Sequence, residues 1–193
     1  EWLREMENDE PDYALLMDKF SNWLLYGDYT PYGKMFDCGI STSRAIMNYG
    51  RGMEPLQCGG QADYDNGNGS LMRILPAALW KSAELVGEEV DDTDFIFNVS
   101  ALTHAHIRSK IGCLIYSKLI ADLLYAQNDD KFDAVQKSLL SCKCYLETID
   151  DKQTIYEIGK YARLWILDTF KNLDEDNIKS TGYVVDTLEA AIW

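Results

Sequence analysis

Apolar residues recur at helical spacing along nearly the whole chain. Leu16, Phe20, Trp23 and Leu24 form one stripe, with Pro11 placed for a first helical turn and Gly27 placed to close the helix. Ile107, Ile111, Leu114, Ile115, Leu119 and Leu123 mark a strongly amphipathic helix. Phe132, Val135, Leu139, Leu140 and Leu146 mark another, and Ile155, Ile158, Leu164, Trp165 and Leu167 a third. Val184, Val185, Leu188, Ala191 and Ile192 keep the same spacing to the end of the sequence. No segment alternates apolar and polar residues for long enough to read as a strand. The pattern predicts an all-α protein.

Breaks in the pattern locate the loops. Gly27 to Gly39 is irregular and aromatic-rich, with Tyr29, Tyr32 and Phe36. A short helix comes next, with Ser41 or Thr42 as its cap and Gly50 at its end. Residues 51–69 hold five of the thirteen glycines and read as one long loop. A helix is expected from about Ser70 to Val86, kinked or opened in its first turns by Pro76. Asp91, Asp92 and Thr93 stand where the next helix needs a cap, and a capping role is expected of them instead of a metal site.

At 193 residues and 47% apolar composition, the chain has the size and core of one domain. Trp2, Leu3 and Met6 read as the tail of a helix begun earlier, and the last helix lacks a stop signal. The chain is therefore expected to be a single domain over residues 1–193, incomplete at both termini. A net charge of −14 speaks against nucleic acid, whose phosphate backbone needs a basic face. No apolar run is long enough for a transmembrane helix. Five cysteines, odd in number and without CxxC spacing, indicate reduced thiols and a cytoplasmic setting.

The chemistry concentrates in Asn66-Gly67-Asn68-Gly69-Ser70. Two readings stand: a flexible loop with a helix cap, or an anion cradle. In the second, glycines let backbone N–H groups converge and the next helix adds its positive end. The loop lacks the lysine of a P-loop and the strand of a dinucleotide fold, so a pyrophosphate on another scaffold fits it best. His104 and His106 lie two residues apart, which on a helix turns their rings by about 200° and argues against a joint zinc site.

Together these stretches resemble the ADP-ribosylglycohydrolase family, which includes dinitrogenase-reductase-activating glycohydrolases. The matching pieces run in family order. They are Phe36-Asp37-Cys38-Gly39 with Ser41-Thr42-Ser43-Arg44-Ala45, Gly67-Asn68-Gly69-Ser70-Leu71-Met72-Arg73 with Pro76, Leu102-Thr103-His104, and Gly182-Tyr183-Val184-Val185 with Leu188-Glu189-Ala190-Ala191. The resemblance implies a hydrolase that removes ADP-ribose from a modified protein side chain or related acceptor, by N- or O-glycosidic hydrolysis assisted by two magnesium (or manganese) ions. It implies that Gly67, Asn68, Gly69 and Ser70 hold the diphosphate and neighbouring ribose. His104 would contact ribose or phosphate, and Tyr183 would face the adenine. Asp37 would be the catalytic residue beside the scissile bond, orienting hydroxyls or water, while Arg73 would brace the loop from within. The family's metal ligands lie in a Thr-Asp-Asp cluster and an Asp-x-Asp-Thr cluster that flank the segments matched here. No metal ligand is thus expected within this chain, and the chain alone is expected to be inactive. The alternative is a catalytically silent ADP-ribose binder or a structural member, as in crystallins that resemble the family. The implied partners are ADP-ribose or an ADP-ribosylated protein, with neither nucleic acid nor membrane. An acidic composition favours a backbone cradle over a side-chain cation as the anchor for phosphate.

Overall fold

The computed structural model describes residues 2–6, 10–86, 93–126 and 131–193. Among the described residues eleven α-helices run in this order: α1 Trp2–Glu5, α2 Tyr13–Tyr26, α3 Ile40–Gly50, α4 Leu75–Trp80, α5 Ser82–Leu85, α6 Thr93–Ala101, α7 Ile107–Tyr125, α8 Lys131–Glu147, α9 Lys152–Ile158, α10 Leu167–Phe170 and α11 Val184–Ile192. The described residues form no strand, only two isolated bridges, Gly60 with His104 and Gly67 with Tyr183. The protein is all-α, as its hydrophobic periodicity predicts. None of its described helices is long and apolar enough to cross a membrane.

Helix α7 is the axis. It packs against α4, α5, α6, α8, α9 and α11. Its sequence predicts one apolar face, yet Ile111, Cys113, Leu114, Ile115, Ser117 and Lys118 are all buried, which places the burial all round the helix. The small polar residues that interrupt its apolar run thus lie in the core instead of facing water. Gly112 allows the closest approach: a Cβ there would lie 2.6 Å from Tyr161 Oη and 3.0 Å from Val184 Cγ2. Tyr161, fully buried, donates its hydroxyl hydrogen to the Arg108 carbonyl at 2.7 Å. The N-terminal end of α7 is thereby fastened to α11 and to the turn after α9.

Several boundaries differ from expectation for local reasons. Asp12 is the N-cap of α2, accepting from the Leu15 N–H at 2.9 Å, so Pro11 precedes the cap. Gly27 ends that helix in the left-handed region at φ 74°. Gly39 caps α3 through its backbone, leaving Ser41 and Thr42 inside the first turn. The expected helix from Ser70 to Val86 is three pieces: a 3₁₀ turn over Leu71–Arg73, then α4 and α5. Pro76 has no N–H to offer the Met72 carbonyl, and its ring excludes a continuous α-helix through that point. The third periodic stripe is likewise divided among α9, a 3₁₀ turn over Gly159–Tyr161, and α10. Asp91 and Asp92 lie outside the described residues. Thr93 opens α6, with its hydroxyl buried and no hydrogen-bond partner among the described residues.

Candidate functional site

The glycine-rich loop is locked in place. The Val184 N–H donates to the Asn66 carbonyl at 3.0 Å, and the Asn68 N–H donates to the Gly182 carbonyl at 2.8 Å. Asn68 Nδ2 donates to Thr187 Oγ1 at 3.0 Å, so this side chain fastens the loop to α11. Ser109 Oγ donates to Asn66 Oδ1 at 2.9 Å, which joins the loop to α7. Ser70 is fully buried, and its hydroxyl accepts from the Cys113 thiol at 3.4 Å. A 3₁₀ turn comes directly after Ser70, so no α-helix presents its N-terminus at this point.

Neither Gly67 nor Gly69 has a positive φ. Gly69 is required by contact inside the protein: a Cβ there would lie 2.7 Å from His104 Cε1 and 3.1 Å from Thr42 Oγ1. Gly67 is roomier, with His104 Nε2 at 3.6 Å from the same hypothetical atom. The loop, the His104 ring and the first turn of α3 thus form one wall.

That wall bounds a cavity of about 1150 Å³ between α2, α3 and the loops at Asp37 and Gly67. Of the residues singled out from sequence, Asp37, Gly67, Asn68, Gly69 and His104 line it. Ser70 lies in the core behind it. Tyr183 is half-buried with its ring under the Arg108 guanidinium, 5.7 Å from centroid to Cζ. Asp37 is exposed, on the aromatic loop between α2 and α3. That aromatic loop and the start of α3 leave Tyr29, Phe36 and Ile40 exposed. Cys38 stands next to Asp37 in the lining, its thiol pKa raised by burial and then by the Asp37 carboxylate.

The charge of the lining runs against the charge of the chain. Lys19, Arg44 and Arg73 stand there against two carboxylates, Asp37 and Asp65, in a molecule of net charge −14. An acidic composition therefore does not deprive this cavity of cations. Arg44 pairs with Asp65, whose second oxygen accepts from the Ala62 N–H at 3.1 Å. The sequence reading missed this pair. Arg44 sits inside a quoted motif, but its partner is twenty-one residues away across an irregular loop, and no local periodicity signals it. His104 is 2% exposed, and its Nδ1 lies 2.8 Å from Thr103 Oγ1. Burial first, then the Arg73 charge, pushes its pKa down to about 4, so the ring is neutral at physiological pH.

His106 goes elsewhere. It is the N-cap of α7, its Nδ1 accepting from the Arg108 N–H at 3.2 Å. With Asp63 and Glu157 it forms the one group among the described residues whose ligand-type atoms lie within 4.8 Å of one another. Arg108 already binds both carboxylates there: Nε and Nη2 reach Glu157 at 2.6 and 3.0 Å, and Nη2 reaches Asp63 at 2.6 Å. A hard dication such as magnesium needs several oxygen ligands free of a competing cation. This cluster does not fit one, and Asp65 in the cavity is committed to Arg44. Both sets of carboxylates are thus engaged by arginines.

Comparison with known proteins adds an independent line. The family model described as ADP-ribosylglycohydrolase matches residues 1–193. The ADP-ribosylarginine hydrolase Tri1 of Pseudomonas putida (strain GB-1) is 30% identical over 186 residues, covering 94% of this chain and 43% of that protein. The ADP-ribosylarginine hydrolase Tri1 of Serratia proteamaculans (strain 568) is 23% identical over 182 residues, with the same two coverages of 94% and 43%. The chain thus spans less than half the length of the curated relatives it matches.

Proposed function

Because the chain belongs to the ADP-ribosylglycohydrolase family, we propose that it forms the ADP-ribose-holding part of a hydrolase that releases ADP-ribose from a modified protein side chain. Arginine is the acceptor this reading favours, since both relatives are named for it. The observation that carries the proposal is the cavity of about 1150 Å³, walled by Gly67, Gly69 and His104 and lined by more cations than carboxylates. Sites for cofactor-sized ligands span roughly 300–1,000 Å³, so a dinucleotide-like sugar nucleotide suits this volume.

The chain's own residues then divide the tasks of binding. Gly67 and Gly69 place no side chain between a phosphate and the backbone, and the Asn68 side chain is turned to Thr187. His104 stays neutral, and in the tautomer in which Thr103 donates to Nδ1 its Nε2 carries the hydrogen and donates to a ribose or phosphate oxygen. Asp37, exposed at the rim, accepts from a ribose hydroxyl and orients the sugar next to the scissile bond. The metal used by the family supplies an activated water at neutral pH when bound. Its ligands in the parent protein come from outside the residues described here.

Calorimetric titration tests the binding. ADP-ribose should bind saturably and more tightly than adenosine; absence of any ADP-ribose heat overturns the reading. In the presence of magnesium, the 193-residue chain should leave ADP-ribosyl-arginine intact, while a longer polypeptide carrying the family's aspartate clusters should release ADP-ribose. A silent binder gives the same titration and no release from the longer polypeptide.

A further inference from the structure

The three cations of the cavity are not held alike. Lys19 reaches Glu5 at 3.0 Å, and Arg44 pairs with Asp65. Among the described residues no carboxylate lies within ion-pair distance of Arg73. Its Nη1 donates to the Gly69 carbonyl at 3.3 Å, and its Nη2 donates to the carbonyls of Val99 at 2.8 Å and Ser100 at 3.5 Å. Its Nε is buried with no described acceptor. The Phe20 ring, also in the lining, lies 5.3 Å from the guanidinium carbon. Burial pushes the Arg73 pKa down to about 10, which leaves the group fully charged at neutral pH.

A brace for the loop needs donors and does not need a net charge. Dipoles of three carbonyls solvate this cation but do not neutralise it, and a charge removed from water without a counter-charge is costly. The cost is offset if an anion arrives. In a site of low effective dielectric, a fixed cation attracts such an anion far more strongly than it would in water. Its bond to the Gly69 carbonyl also fixes the Gly69–Ser70 peptide, and with it the wall that the ligand meets.

We propose that Arg73 is a positioning residue that supplies the counter-charge for an anionic ligand, so that the cavity selects a diphosphate-bearing ligand over an uncharged nucleoside. The identification of that anion as the diphosphate of ADP-ribose rests on the function proposed above; the charge selection does not.

The test is calorimetry on the full chain and on Arg73→Lys and Arg73→Met, with inorganic pyrophosphate, ADP-ribose and adenosine as ligands. Arg73→Met should weaken both anions by about tenfold or more and change adenosine by less than about twofold, a contrast that calorimetric affinities resolve. Arg73→Lys, which keeps the charge and alters the donors, should recover most of the loss. Equal losses for all three ligands, or unchanged pyrophosphate affinity in Arg73→Met, overturn the proposal and leave Arg73 as a brace. A measurement on the unaltered chain covers the case in which Arg73→Met does not fold: the NMR resonance of the Arg73 Nε–H group should shift saturably with added pyrophosphate. A resonance that does not move overturns the proposal. Binding of pyrophosphate without ADP-ribose would overturn the proposed function and uphold the charge selection; binding of neither would overturn both.

Discussion

Arg108 and Arg73 are both withdrawn from water, and the fold treats them in opposite ways. Arg108 is 5% exposed and meets Glu157 through two nitrogens and Asp63 through one, with Tyr183 packed against its guanidinium. Burial alone would lower its pKa, but the hydrogen bonds that it donates to these carboxylates outweigh burial and raise it. Arg73 meets only carbonyl oxygens among its described hydrogen-bond partners and packs against Phe20, and burial lowers its pKa. The charge of Arg108 is cancelled inside the protein, where α7, α9 and the loop at Asp63 come together. The charge of Arg73 is left outstanding on the wall of a cavity. A compensated buried ion belongs to the architecture, whereas an uncompensated one beside open volume points outward to a ligand.

Removing the two arginines should separate these roles first in stability. Arg108→Met leaves Glu157, 3% exposed, without its partner. Orphaning one half of a buried ion pair costs about 3–5 kcal/mol. Arg73→Met orphans no carboxylate and relieves a desolvated charge, so its cost should be about 1–2 kcal/mol from carbonyls left without donors. Urea denaturation of both variants reads the difference. Equal costs would erase the distinction between a paired and an unpaired arginine.

His104 ties the cavity wall to pH. Its folded pKa of about 4 lies below the ordinary 6.5, through burial and then the Arg73 charge, with Arg44 acting the same way and Asp65 opposing. The unfolded chain therefore binds the proton more readily than the folded one between these values. Stability from this group is complete above about pH 6.5 and is lost as the pH falls toward 4, by an amount on the order of 3 kcal/mol. His106, also lowered by burial, adds a loss of the same sign. In His104→Asn, unfolding free energies measured across this range should fall less steeply with decreasing pH. An unchanged slope would mean that His104 is not the buried neutral group of the wall.

Gly69→Val strikes the wall itself. The new Cβ would stand 2.7 Å from His104 Cε1, so the ring or the loop must move. ADP-ribose should weaken more than tenfold, which is about 1.4 kcal/mol, and AMP, with a single phosphate, should lose less. Calorimetry with both ligands decides it: ADP-ribose affinity equal to wild type would mean that the wall does not shape the site.

The features legible in the sequence were those set by local rules. Periodicity gave the helical class, Gly27 its helix end, and Pro76 the break that divides the expected helix. The glycine-rich stretch gave the position of the cavity wall. Its reason was not legible, because Gly69 answers to His104, thirty-five residues on, and to Thr42 in the first turn of α3. The all-round burial of α7 as far as Ala121 was hidden because Ser109, Ser117 and Lys118 are buried polar residues that a hydropathy pattern assigns to the outside; only its last turn, with Leu123, Leu124 and Tyr125, is exposed. The cation-rich lining was hidden for a similar reason: a net charge of −14 is a sum over the chain, and ligands respond to the groups beside them.

The smallest effect belongs to Asp37, the exposed carboxylate of the same lining. If Arg73 attracts an anion from the wall, Asp37 should repel it from the rim. Water surrounds Asp37, and interactions of exposed charges amount to about 0.2–1 kcal/mol. Asp37→Asn should therefore tighten pyrophosphate, which has no ribose for Asp37 to hold, by about two- to threefold, roughly 0.5 kcal/mol, in calorimetric titration at low salt. The gain should vanish near 1 M salt, where the screening length is about 3 Å, while adenosine should bind alike in both proteins. The same substitution in the longer polypeptide should slow release of ADP-ribose, since the amide has lost the anionic acceptor that orients the ribose hydroxyls. Tighter adenosine binding in Asp37→Asn would mean that the residue shapes the cavity mouth instead of its field. Weaker pyrophosphate binding would reverse the sign assigned to the rim and, with it, the contrast between rim and wall.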